Sequence, residues 1–257
     1  MQGHLGDTAR GGPHVRGVRP GAHVLRSPEP LYLESGFGGH IDDATQAWSF
    51  ELAHWGLCGQ GRDEQEALGS FRFGAWQAYR AFLVRHGEDC PSVGDLELAE
   101  RIQGDELAFG ADRRPAVDAE VSRTLQLLEW ARADLLELLG SASEAELDWD
   151  DPEREMPAWA TWRTARLMAW HIADTESRYY VASLGLEAPP RSRDLLEELD
   201  RSARHVRESL ALLPRDLLVE QGSEVWTTRK LLRRLAWHER GEVDAMRSLL
   251  VRARVRA

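Results

Sequence analysis

Residues 226–250 read WTTRKLLRRLAWHERGEVDAMRSLL, and this stretch decides the architecture of the C-terminal half of the chain. The pattern predicts one helix, because residues spaced alternately by four and three positions share one face of a 3.6-residue period. That face carries, in order, Leu231, Leu235, His238, Glu242, Ala245 and Leu249. An imidazole and a carboxylate therefore stand where leucines are expected.

Two interpretations of this helix are open. An unpaired carboxylate in a core costs several kcal/mol, so it needs a partner or a metal. Residues four apart on a helix face the same way, so His238 and Glu242 could share one cation. The alternative is a core histidine hydrogen-bonded to a neighbouring acid. The basic residues fall mostly off the apolar face and are predicted to meet water: Arg229, Lys230, Arg233, Arg234, Arg240 and Arg247.

Composition bounds the protein class. The 257 residues suffice for two modest domains or one large one. A net charge of −11 does not favour a nucleic-acid partner. The two cysteines, Cys58 and Cys90, are too few for a disulfide framework, which predicts a cytoplasmic protein. No apolar run reaches the length of a membrane span.

The N-terminal third divides into an extension and a small α+β layer. Residues 1–29 are rich in Gly, Pro, Arg and His and are predicted to be a disordered extension. Residues 30–88 predict the order β-β-β-α, with a turn over 36–40, strands over 46–52 and 56–61, and a helix up to Gly87. Asp63 is the predicted cap of that helix, with Glu66 at capping-box spacing.

This layer resembles the HicB-like fold, a reduced RNase H-like module. The matching segments are YLE at 32–34, GLC at 56–58, Gly61 and DEQEAL at 63–68. The resemblance implies an antitoxin domain or a small binding module. Neither a ribbon-helix-helix nor a helix-turn-helix segment is recognisable in the sequence.

The rest of the chain is predicted to be helical. Residues 89–117 are predicted to be a linker with a short helix over 96–102. Residues 118–257 carry four amphipathic segments, over 119–139, 161–186, 193–213 and 226–250. Four such helices predict an up-down four-helix bundle, so the fold class is α+β and mostly α.

The bundle resembles the DinB-like superfamily, which includes thiol-dependent S-transferases and maleylpyruvate isomerases. Two segments carry the resemblance, TARLMAWHIADTESRYY at 164–180 and VWTTRKLLRRLAWHERGE at 225–242. It implies a divalent metal held by three histidines, of which His171 and His238 match. Glu242 replaces the third. Two imidazoles and one carboxylate still form an open zinc set, and the same trio suits non-haem iron.

The resemblance implies a metal-dependent enzyme with His171, His238 and Glu242 as ligands of Zn, Ni, Fe or Mn. Its reaction would be thiol transfer to a small electrophile, with a low-molecular-weight thiol as cosubstrate, or hydrolysis. Asp174 is a candidate general base, or a residue that accepts a hydrogen bond from one of the ligands. A small-molecule substrate and a homodimer are further expectations. The competing hypothesis is a non-catalytic binding or regulatory protein, in which the bundle is a metal-stabilised or degenerate scaffold.

Overall fold

A computed structural model describes residues 27–36, 45–104, 106–156 and 160–256. The predicted extension lies outside these residues up to 26, and so does the predicted turn beyond Gly36. Strand β1 already begins at Glu29, the last residue assigned to the extension. Within the described ranges, no helix is long and apolar enough to cross a membrane.

The N-terminal layer is a four-stranded sheet in the order β3-β2-β1-β4. The strands are β1 (Glu29–Ser35), β2 (Thr45–Ser49), β3 (Cys58–Gly61) and β4 (Leu96–Gln103). β1 pairs antiparallel with β2 and parallel with β4. The helix predicted over 96–102 is therefore wrong, and the predicted linker contains an edge strand of the sheet. Alternation of half-buried and exposed residues along β4 gives the two-residue period of a strand.

Two helices cover this sheet, α1 (Glu64–Arg72) and α2 (Gly74–Arg85). The predicted cap of α1 is confirmed, since the Asp63 carboxylate accepts a hydrogen bond of 2.9 Å from the Glu66 backbone N–H. α1 approaches β3 so closely that a Cβ at Gly59 would lie 2.3 Å from the Ala67 carbonyl oxygen. Glycine in β3 thus sets the spacing between helix and sheet.

The C-terminal part contains four long helical segments. They are α3 (Asp118–Ser141), α5 (Ala165–Asp174) with a π-helical continuation (Thr175–Tyr180), α6 (Leu195–Leu212) and α7 (Thr228–Arg256). The short helix α4 (Glu144–Leu147) follows α3 and is capped by Ser143, as its Ser–Glu spacing predicts. α7 packs along α3 and α5, and α5 packs on α6.

A β-hairpin precedes α7, formed by β5 (Leu218–Gln221) and β6 (Glu224–Thr227). The helix therefore starts two residues later than predicted, because Trp226 and Thr227 belong to β6. The hydroxyl of Thr227 accepts a hydrogen bond of 3.0 Å from the Lys230 backbone N–H at the start of α7. The transition from strand to helix is thus stabilised locally.

α7 is covered on two sides, by the helices and by the sheet layer. Gly56 lies against it with a φ of +80°, and a Cβ there would lie 2.6 Å from the Ala236 carbonyl oxygen. The indole N–H of Trp55 bonds Thr124 of α3 at 2.9 Å. One apolar cluster joins the two layers, with Leu31, Phe71, Leu127, Val206 and Leu235 among its members.

The basic residues of α7 are the main correction to the sequence analysis. Lys230, Arg233 and Arg234 are buried, not solvated. Arg233 bonds Asp112 at 2.9 Å, and Arg234 bonds both Glu34 of β1 and Glu106. Of the other basic residues predicted to meet water, Arg240 is also buried, with a bond of 3.1 Å to the Gly56 carbonyl oxygen. Ion pairing with the sheet layer is what makes this burial tolerable.

Candidate metal centre

The structure brings together the three residues that the sequence proposed as ligands. His171 comes from α5, and His238 and Glu242 come from α7, one turn apart. One ligand atom from each residue lies within 4.8 Å of those of the other two. The Nε2 atoms of the two imidazoles are 3.3 Å apart. Among the described residues, this is the one group of His, Cys, Asp and Glu side chains arranged to hold a metal ion.

Local structure fixes the His171 ring. Helix α5 begins where Thr164 accepts a hydrogen bond from the Leu167 backbone N–H, which sets the helical phase of His171. Trp162 stacks on the imidazole with ring centroids 3.6 Å apart and planes within 6°. The Thr175 hydroxyl lies 3.2 Å from Nδ1. A stacked ring with one nitrogen engaged leaves Nε2 directed at His238.

Both imidazoles are neutral at physiological pH. Burial lowers the pKa of His171 to about 4. Burial also holds the pKa of His238 well below its ordinary value, and His171 and Arg234 lower it further. A metal ion binds the neutral form of imidazole. Both histidines can therefore bind one without first losing a proton.

Glu242 is the acidic member of the group. Burial raises the pKa of its carboxyl to about 7, and the charge of Arg154 opposes that rise. Its side chain is half-buried in the wall of a cleft. A carboxylate whose ionisation burial disfavours is stabilised by a cation beside it.

The donor set fits a divalent ion. Two nitrogen ligands and one carboxylate oxygen match zinc sites that keep a position open for water or substrate, and non-haem iron sites. The Nδ1 atom of His238 is buried and has no hydrogen-bond partner among the described residues. The Nε2 atoms of the two imidazoles face each other, and the Thr175 hydroxyl lies 3.5 Å from the Nε2 atom of His171.

The group lies in the wall of a cleft of about 340 Å³. Four aromatic side chains line it beside the ligands: Trp162, Tyr179, Tyr180 and Trp237. Burial raises the pKa of both tyrosine hydroxyls above their ordinary value, so they remain protonated donors. The cleft is large enough for a small molecule, and its polar side chains could orient one.

The sheet layer supplies a polar part of the same cleft, through Gln60 of β3 and Glu106. Glu106 has a left-handed backbone, with a φ of +48°. Its carbonyl oxygen accepts hydrogen bonds from Val225 and Lys230, which hold that conformation. Burial opposes ionisation of its carboxyl, but Arg234 and Lys230 outweigh burial and lower the pKa to about 2. A fixed negative charge, paired with Arg234, thus faces the cleft.

The comparison with protein families agrees with this geometry. Residues 127–241 match the family model of the DinB superfamily. The DinB-like segment includes His171 and His238 and ends one residue before Glu242. Comparison with curated proteins and with solved structures gave no match.

Asp174 lies in the DinB-like segment but outside the cleft. Its carboxylate bonds Arg178 at 3.2 Å and Arg191 at 3.0 Å. These two arginines hold the Asp174 side chain away from the candidate ligands, although it is only three residues from His171. The structure therefore does not bring this candidate base to the metal ligands.

Several cleft residues were missed by sequence reasoning. Trp162 precedes the first helical residue of α5, and no spacing rule connects it with His171. Glu106 and Gln60 reach the candidate ligands only because the sheet packs on α7. The signal that could have found Arg234 is its position four residues before His238, which puts both side chains on the same side of α7.

Cys58 is not a reactive thiol. It is buried in the sheet layer, and burial raises its pKa well above the ordinary value. His54, which the sequence places at a strand end, is buried in an ion pair of 2.8 Å with Glu29. Both residues lie outside the lining of the cleft.

Proposed function

We propose that this protein is a divalent-metal-dependent enzyme that acts on a small molecule bound in the aromatic cleft. His171, His238 and Glu242 would hold the ion. The observation that carries the proposal is the convergence of two neutral imidazoles and one carboxylate on the wall of a cleft of about 340 Å³. Three protein ligands leave coordination positions for a substrate.

The reaction class that the site supports is thiol transfer to a small electrophile, or hydrolysis. A divalent ion bound there would supply Lewis acidity, lowering the pKa of a water or thiol that it binds. The chain's own residues hold the ligands in place: Trp162 stacks on His171, and Thr175 engages its Nδ1. Tyr180 packs edge-on against His238 with ring centroids 5.4 Å apart.

The absence of a nucleophile in the cleft also favours this class. The described residues that line it include neither serine nor cysteine. The two tyrosine hydroxyls keep their protons, and the Thr175 hydroxyl contacts His171. A nucleophile would therefore be an added water or thiol, oriented between the ligands and the polar wall of Glu106 and Arg234.

We infer that α3, α5, α6 and α7 form the four-helix bundle of the DinB fold. The pairwise packing of α7 on α3 and α5, and of α5 on α6, supports this assignment. We also infer that the sheet layer is the HicB-like module, which its order β-β-β-α-α-β supports, since the first four elements are those predicted for the module. In this protein the module would serve as one wall of the cleft.

Cobalt substitution tests the open site. Cobalt(II) loaded into the protein reports its ligands through visible absorption, and azide or a thiol such as glutathione is then added. We expect a saturable change of the spectrum that His171→Ala abolishes. A tightly bound cobalt whose spectrum neither azide nor thiol changes would mean a closed, structural site and would favour the scaffold hypothesis.

Turnover tests the reaction class. The metal-loaded protein is assayed with bacillithiol, mycothiol, glutathione or cysteine against monobromobimane and epoxide acceptors. We expect metal-dependent conjugation that Glu242→Gln reduces by at least tenfold. Asp200→Asn removes an exposed carboxylate of α6 and is the matched control that keeps the rate. No conjugation with any pair would exclude thiol transfer to these acceptors.

A further inference from the structure

A second cavity lies between α3, α6, the π-helical segment and α7. Its volume is about 110 Å³, and it shares no lining residue with the metal cleft. One part of its wall is apolar, formed by Leu125, Leu128, Ala203 and Val206. The other part carries charged side chains, and their pairing is incomplete.

Two carboxylates meet one guanidinium at the buried end of the cavity. Glu176 and Glu239 are each only 1% exposed. Arg132 lies between them, with Nη2 at 3.1 Å from Glu176 Oε2 and Nε bonded to Glu239 Oε1. One guanidinium therefore serves two carboxyl groups at this end. At the rim, Glu129 and Arg207 add one charge of each sign, so they do not change this ratio.

The Glu176 carboxyl group lacks one hydrogen-bond partner. Its Oε1 atom is buried and accepts no hydrogen bond from any residue that the structure describes. Burial and the nearby charge of Glu239 raise the pKa of this carboxyl well above its ordinary value. The cavity thus contains an unpartnered acceptor atom on a carboxyl group that has no cation of its own. A cation with N–H donors could take the place of the proton on that group.

The chemistry of the walls narrows the class of cation. A divalent metal ion is disfavoured because the Arg132 guanidinium already bonds an oxygen of each carboxylate, which leaves too few free oxygens for metal coordination. A primary ammonium offers three donors in a single charge. An alkyl chain on it would contact Leu125, Leu128 and Val206. A cavity of about 110 Å³ has room for several water-sized groups, which suits a short alkyl chain.

We propose that this cavity is a second binding site, for a short primary alkylammonium ion, held by Glu176 and Glu239. The site is independent of the metal ligands, so it does not depend on the function proposed above. Glu176 and Ser177 lie on the π-helical segment that also carries Thr175 and Tyr180 to the cleft. A π-helical turn is a frequent feature of functional sites and here presents residues to both cavities.

The test is thermal unfolding of the purified full chain with propylammonium chloride at pH 7.5. Sodium chloride at the same ionic strength is the reference. We expect a saturable rise in Tm of about 5–10 °C at a hundredfold excess over Kd. Neutral propan-1-ol and tetramethylammonium, which has no N–H donor, should give no such rise. Equal rises with all three additives, or none with propylammonium, would overturn the proposal.

Two variants locate the effect. Glu176→Gln keeps the side-chain shape and removes the negative charge, so it should fold normally and lose the response. Ala203→Leu fills the cavity from its half-exposed rim, leaves both carboxylates intact and should also lose the response. His171→Ala is the control that should keep it. A full response in Glu176→Gln and Ala203→Leu would place the ammonium ion elsewhere and contradict the site.

Discussion

The Nε2 atoms of His171 and His238 face each other across 3.3 Å, from two different helices. Two neutral imidazoles at this distance can share one proton only if one ring donates and the other accepts. A cation between or beside them satisfies both lone pairs at once. Glu242, one turn further along α7, supplies the negative charge that such a cation needs.

The junction between the sheet layer and α7 depends on Gly56. Its φ of +80° and its contact with the Ala236 carbonyl both exclude a side chain. We expect Gly56→Ala to lower the free energy of unfolding by about 2–4 kcal/mol, as overpacking adds to backbone strain. Thermal unfolding measures this. Gly69→Ala, at a helical position of α1 with open space around it, is the control and should not destabilise.

Arg234 carries much of the pairing between the two layers. Its removal leaves the buried carboxylates of Glu34 and Glu106 without their main cation. We expect Arg234→Met to destabilise the protein by about 3–5 kcal/mol in denaturant unfolding. Arg204→Met removes an arginine from an exposed pair with Asp200 and should leave the midpoint unchanged. Equal midpoints for the two variants would show that the buried pairing does not hold the layers together.

The pair of His54 and Glu29 predicts a pH dependence. Burial acts to lower the pKa of His54, but bonds to Cys90, Glu29 and the Pro91 carbonyl raise it to about 10. A histidine with a raised pKa stabilises the fold fully below its unfolded pKa of about 6.5 and loses that effect as pH approaches 10. The pKa of Glu29 is lowered by the same pair despite burial, so its effect is lost at acid pH.

We therefore expect wild type to exceed His54→Gln most in stability between about pH 5 and 6.5. The difference should shrink steadily toward pH 10. Denaturant titrations at several pH values measure it, and Glu29→Gln should show the same trend. A difference that grows with rising pH would mean that His54 is neutral in the folded protein.

The proximity of His238 and Glu242 could be predicted from sequence, because helical spacing alone puts them on one face. His171 was expected beside them only from the DinB-like resemblance. Asp174 could not be excluded in the same way, since three-residue spacing from His171 leaves its direction to tertiary packing. Arg233 and Arg234 were assigned to water because a single helix shows one apolar face. Their burial depends on acids in β1 and in the chain after β4, which no local pattern connects with α7.

In β4, the hydrophobic pattern and the helix propensity of the residues indicate different structures. Leu96, Leu98 and Ile102 alternate with exposed residues, which is the period of a strand. Glu and Ala between them favour a helix by propensity, and pairing with β1 decides the outcome. The sheet layer is therefore one strand larger than the β-β-β-α order indicates.

The stabilities of wild type and Glu242→Leu, measured at pH 8 with and without metal, test whether His171, His238 and Glu242 bind a metal ion. After treatment with a chelator, the leucine variant should be at least as stable as wild type, because it lacks a buried carboxylate. With zinc at a hundredfold excess over Kd, wild type should gain about 5–10 °C in Tm and become the more stable. This crossing is the result that a His171–His238–Glu242 metal site predicts. A wild-type Tm that neither chelator nor zinc changes, or a leucine variant with undiminished metal content, would contradict it.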